Sequence, residues 1–191
     1  AAFYGPKIDF MIKSAIGTEY AISTNQLDFL ASERFNLTYK GQDDKEHPVY
    51  VIHRAPLGSH ERFVAFLIEH YAGVFPTWLA PVQAVIIPIA DRHIEYAQKV
   101  HAQLFNAEVP TAHGGIRVEV DDARESMQKK IRNAQRRKVP YMLICGDNEV
   151  ENEVLSVRER SGVEKRDVTV NEFIERIRTE VKSRRDVGEA V

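Results

Sequence analysis

The chain has 191 residues, 43% hydrophobic and 28% charged, a length for one large or two small domains and a composition that excludes general disorder. A formal net charge of -2 and a pI near 6.4 exclude a globally basic nucleic-acid binder, so any such contact rests on a local patch. The single cysteine, Cys145, excludes an internal disulfide framework and fits a reducing, cytoplasmic setting. No apolar run reaches membrane-spanning length, and AAFYGPKIDF lacks the pattern of a secretory signal.

The first run, KIDFMI at 7–12, alternates: Ile8, Phe10 and Ile12 share one face, and Lys7, Asp9 and Met11 the other, the period of a half-buried strand. Further short strands are predicted at 26–29, 35–39 and 49–54, with GQDDKEHP as the polar loop before the last, an antiparallel pattern. In the last strand Val49, Val51 and His53 project to one side. After the turn APLG, Ser59 is the predicted N-cap of a helix carrying Phe63, Phe66, Leu67, His70 and Tyr71, with Gly73 as its C-cap.

The stretch VFPTWLAPVQ, where Pro76 and Pro81 bracket Trp78, reads as a short stiff connection, and the domain boundary is placed there, giving 1–77 and 78–191. Beyond it come a strand (QAVIIPIA), an amphipathic helix with Ile94, Ala97, Val100 and Leu104, a strand (IRVEVD) and a basic helix over 123–138. Strands YMLICG and VLSVRER and a final helix with Val170, Phe173, Ile174 and Ile177 complete the pattern. Strands alternating with helices predict an α/β layer with at least partly parallel pairing. The tail after Lys182 is expected to fray.

Four features invite chemistry. Arg62 lies in the first turn of a helix, where the macrodipole disfavours a cation by about 0.3–1 kcal/mol. Pairing with Glu61 or Glu69 would compensate it, and so would a bound nucleotide, whose phosphate suits a helix N-terminus and whose base stacks on a guanidinium. His53, ending an apolar strand face, reads either as a hydrogen-bonded core residue or as a metal ligand or base. Lys7 and Asp9 share a strand face that is either plain surface or the lining of a cleft. The helix over 123–138 concentrates Arg124, Lys129, Lys130, Arg132, Arg136, Arg137 and Lys138 against the single acid Glu125, either a solvated face or a surface for a phosphate backbone. The absence of a Walker A loop, a GxSxG elbow and a dinucleotide fingerprint excludes the commonest nucleotide and hydrolase readings.

The runs AAFYGPKIDF, NQLDF, VIHRAPLGSHERF, IEHYAGVFPTWLAPVQ and KIRNAQRRKVPYMLICGDNEVE together resemble the threonyl-tRNA synthetases, a family of class II aminoacyl-tRNA synthetases, over almost the whole chain. The resemblance implies an α+β antiparallel sheet, the end of the catalytic domain, followed by an α/β mixed-sheet anticodon-binding domain. It implies that Arg62 binds ATP by stacking on the adenine, and that Lys7 lies near the reacting phosphate or carboxylate. It further implies that Tyr4, Gln26 and Ser59 line the threonine and adenylate site, and that His53 is one of three protein ligands of a zinc ion, the other two lying upstream. Magnesium accompanies ATP. In the second domain Arg124, Arg132, Lys138, Glu149 and Arg158 match positions that contact the anticodon loop of the tRNA.

The implied activity is ATP-dependent activation of threonine and its transfer to tRNA by a longer, homodimeric cytoplasmic ligase, of which this chain alone is expected to be inactive. The alternatives are a non-catalytic anticodon-binding module and, less well supported, a prolyl or other class IIa synthetase. Two departures from the family pattern stand out. YAIST replaces a WQxGT-like run, with Ala21 where a glutamine is usual, and ARESMQ replaces RNEKIG, with Arg124 for asparagine and Ser126 for lysine.

Overall fold

The computed structural model describes residues 2–112 and 114–184 and divides the chain into two units, Ala1–Gly73 and Val74–Val191. Residues 74–77 go with the second unit: Thr77 is fully buried, and its carbonyl accepts a hydrogen bond from Gln83 Nε2 at 2.9 Å.

In the first unit β1 (Lys7–Lys13) pairs antiparallel with β2 (Glu19–Asp28). β2 extends well beyond the strand predicted at 26–29, because Tyr20, Ile22 and Thr24 favour extended backbone and carry the pairing back to Glu19. The register shifts between Phe10 and Met11, leaving Ile22 in a bulge between Phe10↔Ser23 and Met11↔Ala21. Asp28 ends the strand: its Oδ1 accepts from the amides of Leu30 and Ala31 at 2.8 and 2.9 Å, which starts α1 (Leu30–Arg34). The strand predicted at 35–39 is displaced by that helical turn to β3 (Thr38–Lys40), which pairs with β4 (Glu46–Pro48), part of the segment read as a loop.

β5 (Val51–Ala55) completes a three-stranded sheet in the order β1-β2-β5. α2 (His60–His70) begins as predicted, with Ser59 Oγ accepting from the Arg62 amide at 3.3 Å. At its other end Ala72 already takes the left-handed conformation (φ 48°), and the Gly73 amide reaches the Ile68 carbonyl at 2.9 Å. The helix therefore closes in a Schellman motif one residue ahead of the predicted glycine.

The second unit runs β6 (Ala84–Pro88), a 3-10 turn (Asp91–His93), α3 (Ile94–Phe105), β7 (Val118–Val120), α4 (Met127–Arg136) and β8 (Tyr141–Cys145). α5 (Asp147–Glu151), β9 (Val154–Glu159), β10 (Glu164–Thr169) and α6 (Val170–Ser183) follow. α4 is shorter than the predicted basic helix, starting only at Met127 after Ser126. The five strands are ordered β10-β9-β8-β6-β7, with β6 parallel to β7 and β8, and β8-β9 and β9-β10 antiparallel: the expected mixed sheet.

β6 and β8 are buried at every position, as their uninterrupted apolar runs require of strands covered on both faces. Ala84, Ile86, Tyr141, Leu143 and Cys145 pack on one face with residues of α3 and α6. Val85, Ile87 and Met142 pack on the other with Ala134 of α4. Ser183 ends α6, and the rest of the tail expected to fray lies, from residue 185, outside the described residues.

The two units differ in how much they bury. Among the described residues of the first, Ala31 is the sole buried hydrophobic residue, while Ile8, Phe10 and Ile52 are 61%, 52% and 67% exposed. Amide exchange is therefore expected to be slowest in β6 and β8 and much faster in β1 and β5. In denaturant unfolding of the second unit, Phe173→Ala, at a fully buried site, is expected to cost about 3–5 kcal/mol. Ile8→Ala should stay within about 0.5 kcal/mol.

Candidate functional site

Cross-strand register builds the first group. Lys7 lies opposite Gln26 and Gln26 opposite His53, so the three side chains form a row on one face of the β1-β2-β5 sheet. Tyr4 joins them through Gly5, which packs against β2 so closely that a Cβ would lie 2.0 Å from the Leu27 carbonyl oxygen. This approach lets Leu27 N–H donate to Pro6 O and Phe29 N–H to Tyr4 O, both at 3.0 Å, and the Tyr4 hydroxyl donates to Gln26 Oε1 at 2.5 Å. The Tyr4 ring meets the His53 ring edge-on at 6.2 Å. Four of the residues singled out in the sequence, Tyr4, Lys7, Gln26 and His53, thus come together.

Two carboxylates tune this face. Asp9 forms an ion pair with Lys7 Nζ at 3.0 Å, and its carboxyl is held below the ordinary value by Thr24 opposite and by Lys7. Asp28 Oδ2 hydrogen-bonds with His53 Nε2 at 2.9 Å while Oδ1 caps α1; the His53 contact is the main cause lowering the Asp28 carboxyl. His53 is not on a buried apolar face: its side chain is 52% exposed. Asp28 was missed in the sequence, although its spacing of two from Gln26 puts both on one face.

Ser59 and Arg62 form a second group at the start of α2. The Ser59 hydroxyl is engaged as the cap, and Arg62 borders an apolar recess with Ile12, Tyr20, Ile22, Leu57 and Phe63. Gly58 (φ 63°) makes the turn that brings this helix start beside the Ile22 bulge, where its Cβ would stand 3.4 Å from the Ile22 carbonyl.

In the second unit the third group lies on the sheet face covered by α4. Arg158 pairs with Met142 and Ser156 with Ile144, so both point to that face; Glu149 bridges back to it, its Oε1 accepting from Ser156 Oγ at 2.7 Å and its Oε2 from the Gly146 amide at 2.8 Å. Arg158 is held by Glu164 at 3.5 Å, while its buried Nε has no partner among the described residues. Asn133 of α4 pairs with Glu125, and Arg137, just past the helix, pairs with Glu119 of β7. Helical spacing puts Gln128, Arg132 and Gln135 on the opposite side of α4 from Asn133, and Arg132 is exposed.

Lys138 follows α4 in the left-handed region (φ 59°), and Arg124 stands exposed in the loop ahead of the helix. Lys130 leaves the predicted basic surface: it is 5% exposed, and Nζ donates to the carbonyls of Asp121 and Pro88 at 2.8 and 3.3 Å. Its place on the apolar stripe with Met127, Ile131 and Ala134 was a legible signal.

A family model described as "Anticodon binding domain" matches residues 83–180, and one described as "tRNA synthetase class II core domain (G, H, P, S and T)" matches residues 1–71. The threonine–tRNA ligase of Thermotoga neapolitana is 51% identical over 184 residues, which are 96% of this chain and 28% of that protein. That of Rubrobacter xylanophilus is 50% identical over 186 residues, 97% of this chain and 28% of that protein. The chain belongs to the threonyl-tRNA synthetase family. A crystal structure of the RNA binding domain of threonyl-tRNA synthetase from Cryptosporidium parvum Iowa II superposes with a TM-score of 0.79 at 35% identity, covering 93% of this chain and 44% of that one. The chain spans little more than a quarter of the length of these curated threonine–tRNA ligases.

The zinc implied by resemblance to the threonyl-tRNA synthetases can be tested on the donor set. Among the described residues no cluster of three His, Cys, Asp or Glu side chains is placed to hold a metal. The residues present fit the part of one ligand: an exposed imidazole with one ring nitrogen on a carboxylate, the contact that orients metal-bound histidines. Cys145 supplies none, being a fully buried core residue whose thiol burial pushes up to about 12.

The Asp28–His53 contact has a pH signature. A carboxyl with its folded-state pKa lowered stabilises the fold above the unfolded value, and that contribution is lost as pH falls through the folded value. In an NMR titration from pH 7 to 2, the Leu30 and Ala31 amides are expected to shift together with a midpoint below the ordinary aspartate value of about 3.9. Asp28→Asn should abolish the transition, and a midpoint at or above the ordinary value would contradict the contact.

Proposed function

We propose that the chain is the end of the catalytic domain and the anticodon-binding domain of a threonine–tRNA ligase, which activates threonine with ATP and transfers it to its cognate tRNA. The observation that carries this reading is that Arg158, Ser156 and Glu149 lie together on the sheet face covered by α4, which bears the exposed Arg132, within the segment matched by the anticodon-binding family. A cationic fork next to a fixed carboxylate acceptor suits the edges of unstacked bases, and the exposed helix arginine suits the phosphates that bring them there. Arg124 and Lys138 extend the contact at either end of α4.

In the first unit, Arg62 takes the adenine of ATP, its stacking compensating the unfavourable helix position, beside the apolar recess it borders. Lys7 neutralises charge at the reacting phosphate or carboxylate, with magnesium arriving on ATP. Tyr4, Gln26 and Ser59 line the amino-acid and adenylate site, with the Tyr4–Gln26 hydrogen bond fixing both side chains. His53 supplies one ligand of the zinc. When bound, such a zinc offers a Lewis-acid position to the amino and hydroxyl groups of threonine. The enzyme acts as a homodimer in the cytoplasm.

A second reading is favoured by the scarcity of buried hydrophobic residues in the first unit: these 191 residues by themselves bind an anticodon loop without catalysis. Threonine-dependent pyrophosphate exchange by the longer synthetase, absent from this chain alone, fits both readings at once, and exchange driven by proline would sink the family-specific one.

Fluorescence anisotropy tests the RNA contact. A threonine-type anticodon stem-loop is expected to bind more tightly than a loop with the second and third anticodon bases changed. Arg158→Ala should cost about 1–3 kcal/mol and reduce that discrimination, whereas Arg132→Ala should weaken both loops alike and lower the salt slope by about 1. Equal binding of both loops, vanishing with salt, would leave only a phosphate patch.

A further inference from the structure

The guanidinium of Arg160 joins two parts of the second unit that are distant in sequence. Its Nη1 donates to the carbonyl of Phe75 at 2.9 Å and to that of Lys138 at 3.2 Å, and its own amide donates to the Pro140 carbonyl at 2.9 Å. Phe75 lies in the segment that leads from the first unit into the second. Lys138 is the residue that turns the chain out of α4, in a left-handed conformation that a lysine adopts only when its surroundings enforce it. Arg160 therefore grips the backbone of one proposed reading residue and stands two positions from another, Arg158.

The leading segment is itself ordered by short-range bonds. Leu79 and Ala80 amides both donate to the Pro76 carbonyl, at 2.9 and 2.8 Å, and Arg117 holds the Trp78 and Ala80 carbonyls through Nη2 and Nε at 3.0 and 2.9 Å. The turn is thus pinned at Trp78 and Ala80 by one arginine and at Phe75 by another. Whatever fixes Lys138 also fixes the Arg160 fork, and the fork fixes Phe75.

We propose that Arg160 is a positioning residue that couples occupation of the α4 face by an anticodon loop to the order of residues 75–80. The proposal rests on the reading of that face as the loop-binding surface. No RNA contact by Arg160 is required: the coupling runs through the two carbonyls that share its Nη1.

Hydrogen exchange of the 191-residue chain, with and without a saturating threonine-type stem-loop, tests it. The loop is expected to slow exchange of the Leu79 and Ala80 amides by between about 2- and 30-fold, the range of residue-mediated coupling. Arg160→Met should bind the loop nearly as well, by anisotropy, yet lose the slowing. Arg160→Lys, which keeps the charge without the planar fork, should retain less than half of it. A merely structural role would change the exchange of free protein and leave the response to RNA intact. Unchanged exchange in the saturated unsubstituted chain, or a full response in Arg160→Met, overturns the proposal. Absence of any anisotropy change marks instead the failure of the loop-binding reading on which it depends.

Discussion

The second unit hangs on a strand with no exposed side chain. Every residue of Ala84–Pro88 is buried, and the strand hydrogen-bonds in parallel with β7 on one side and β8 on the other. Each of its faces roots a separate apolar cluster, Ala84 and Ile86 beneath α3, Val85 and Ile87 beneath α4. A parallel strand buried on both faces has no tolerance for a slip of register, since one residue of slip exchanges the two clusters. That rigidity lets a row of polar side chains on β9, two strands away, keep a fixed place on the sheet.

The first unit follows a different logic. Its sheet is held by antiparallel ladders and by polar contacts such as Tyr4 with Gln26 and Asp28 with His53, with little buried apolar surface behind them. Polar pairs of this kind contribute little net stability but discriminate sharply among geometries. The polar contacts thus stand where the chain buries least apolar surface, and Ile8, Phe10 and Ile52 on β1 and β5 remain exposed.

Legibility in the sequence tracked how local each signal was. Ser59 and the apolar spacing after it define α2 because capping and periodicity act within one turn. β6 and β8 were readable as unbroken apolar runs. β10, with its sequence EKRDVT, was not, because an edge strand needs few apolar residues and its pairing partner is supplied by β9. The helix α1 was hidden because its cause, the Asp28 carboxylate, reads equally well as a strand residue. The row Lys7, Gln26 and His53 could not be derived from spacing, since it depends on a register spanning three strands; resemblance to a family carried those residues where periodicity could not. In the same way Arg160 stands on one face with Ser156 and Arg158 by simple alternation, yet its two carbonyl partners lie far away in the chain.

Lys130 shows how this domain separates its architecture from its contacts. Its ammonium, enclosed under α4, joins the carbonyl of Pro88 at the end of β6 to that of Asp121 just after β7, so the helix is docked by a group shielded from solvent. The exposed cations Arg132 and Arg136 of the same helix take no part in that bond. Substitution at those two positions is therefore expected to change the surface charge of the helix without moving its seat.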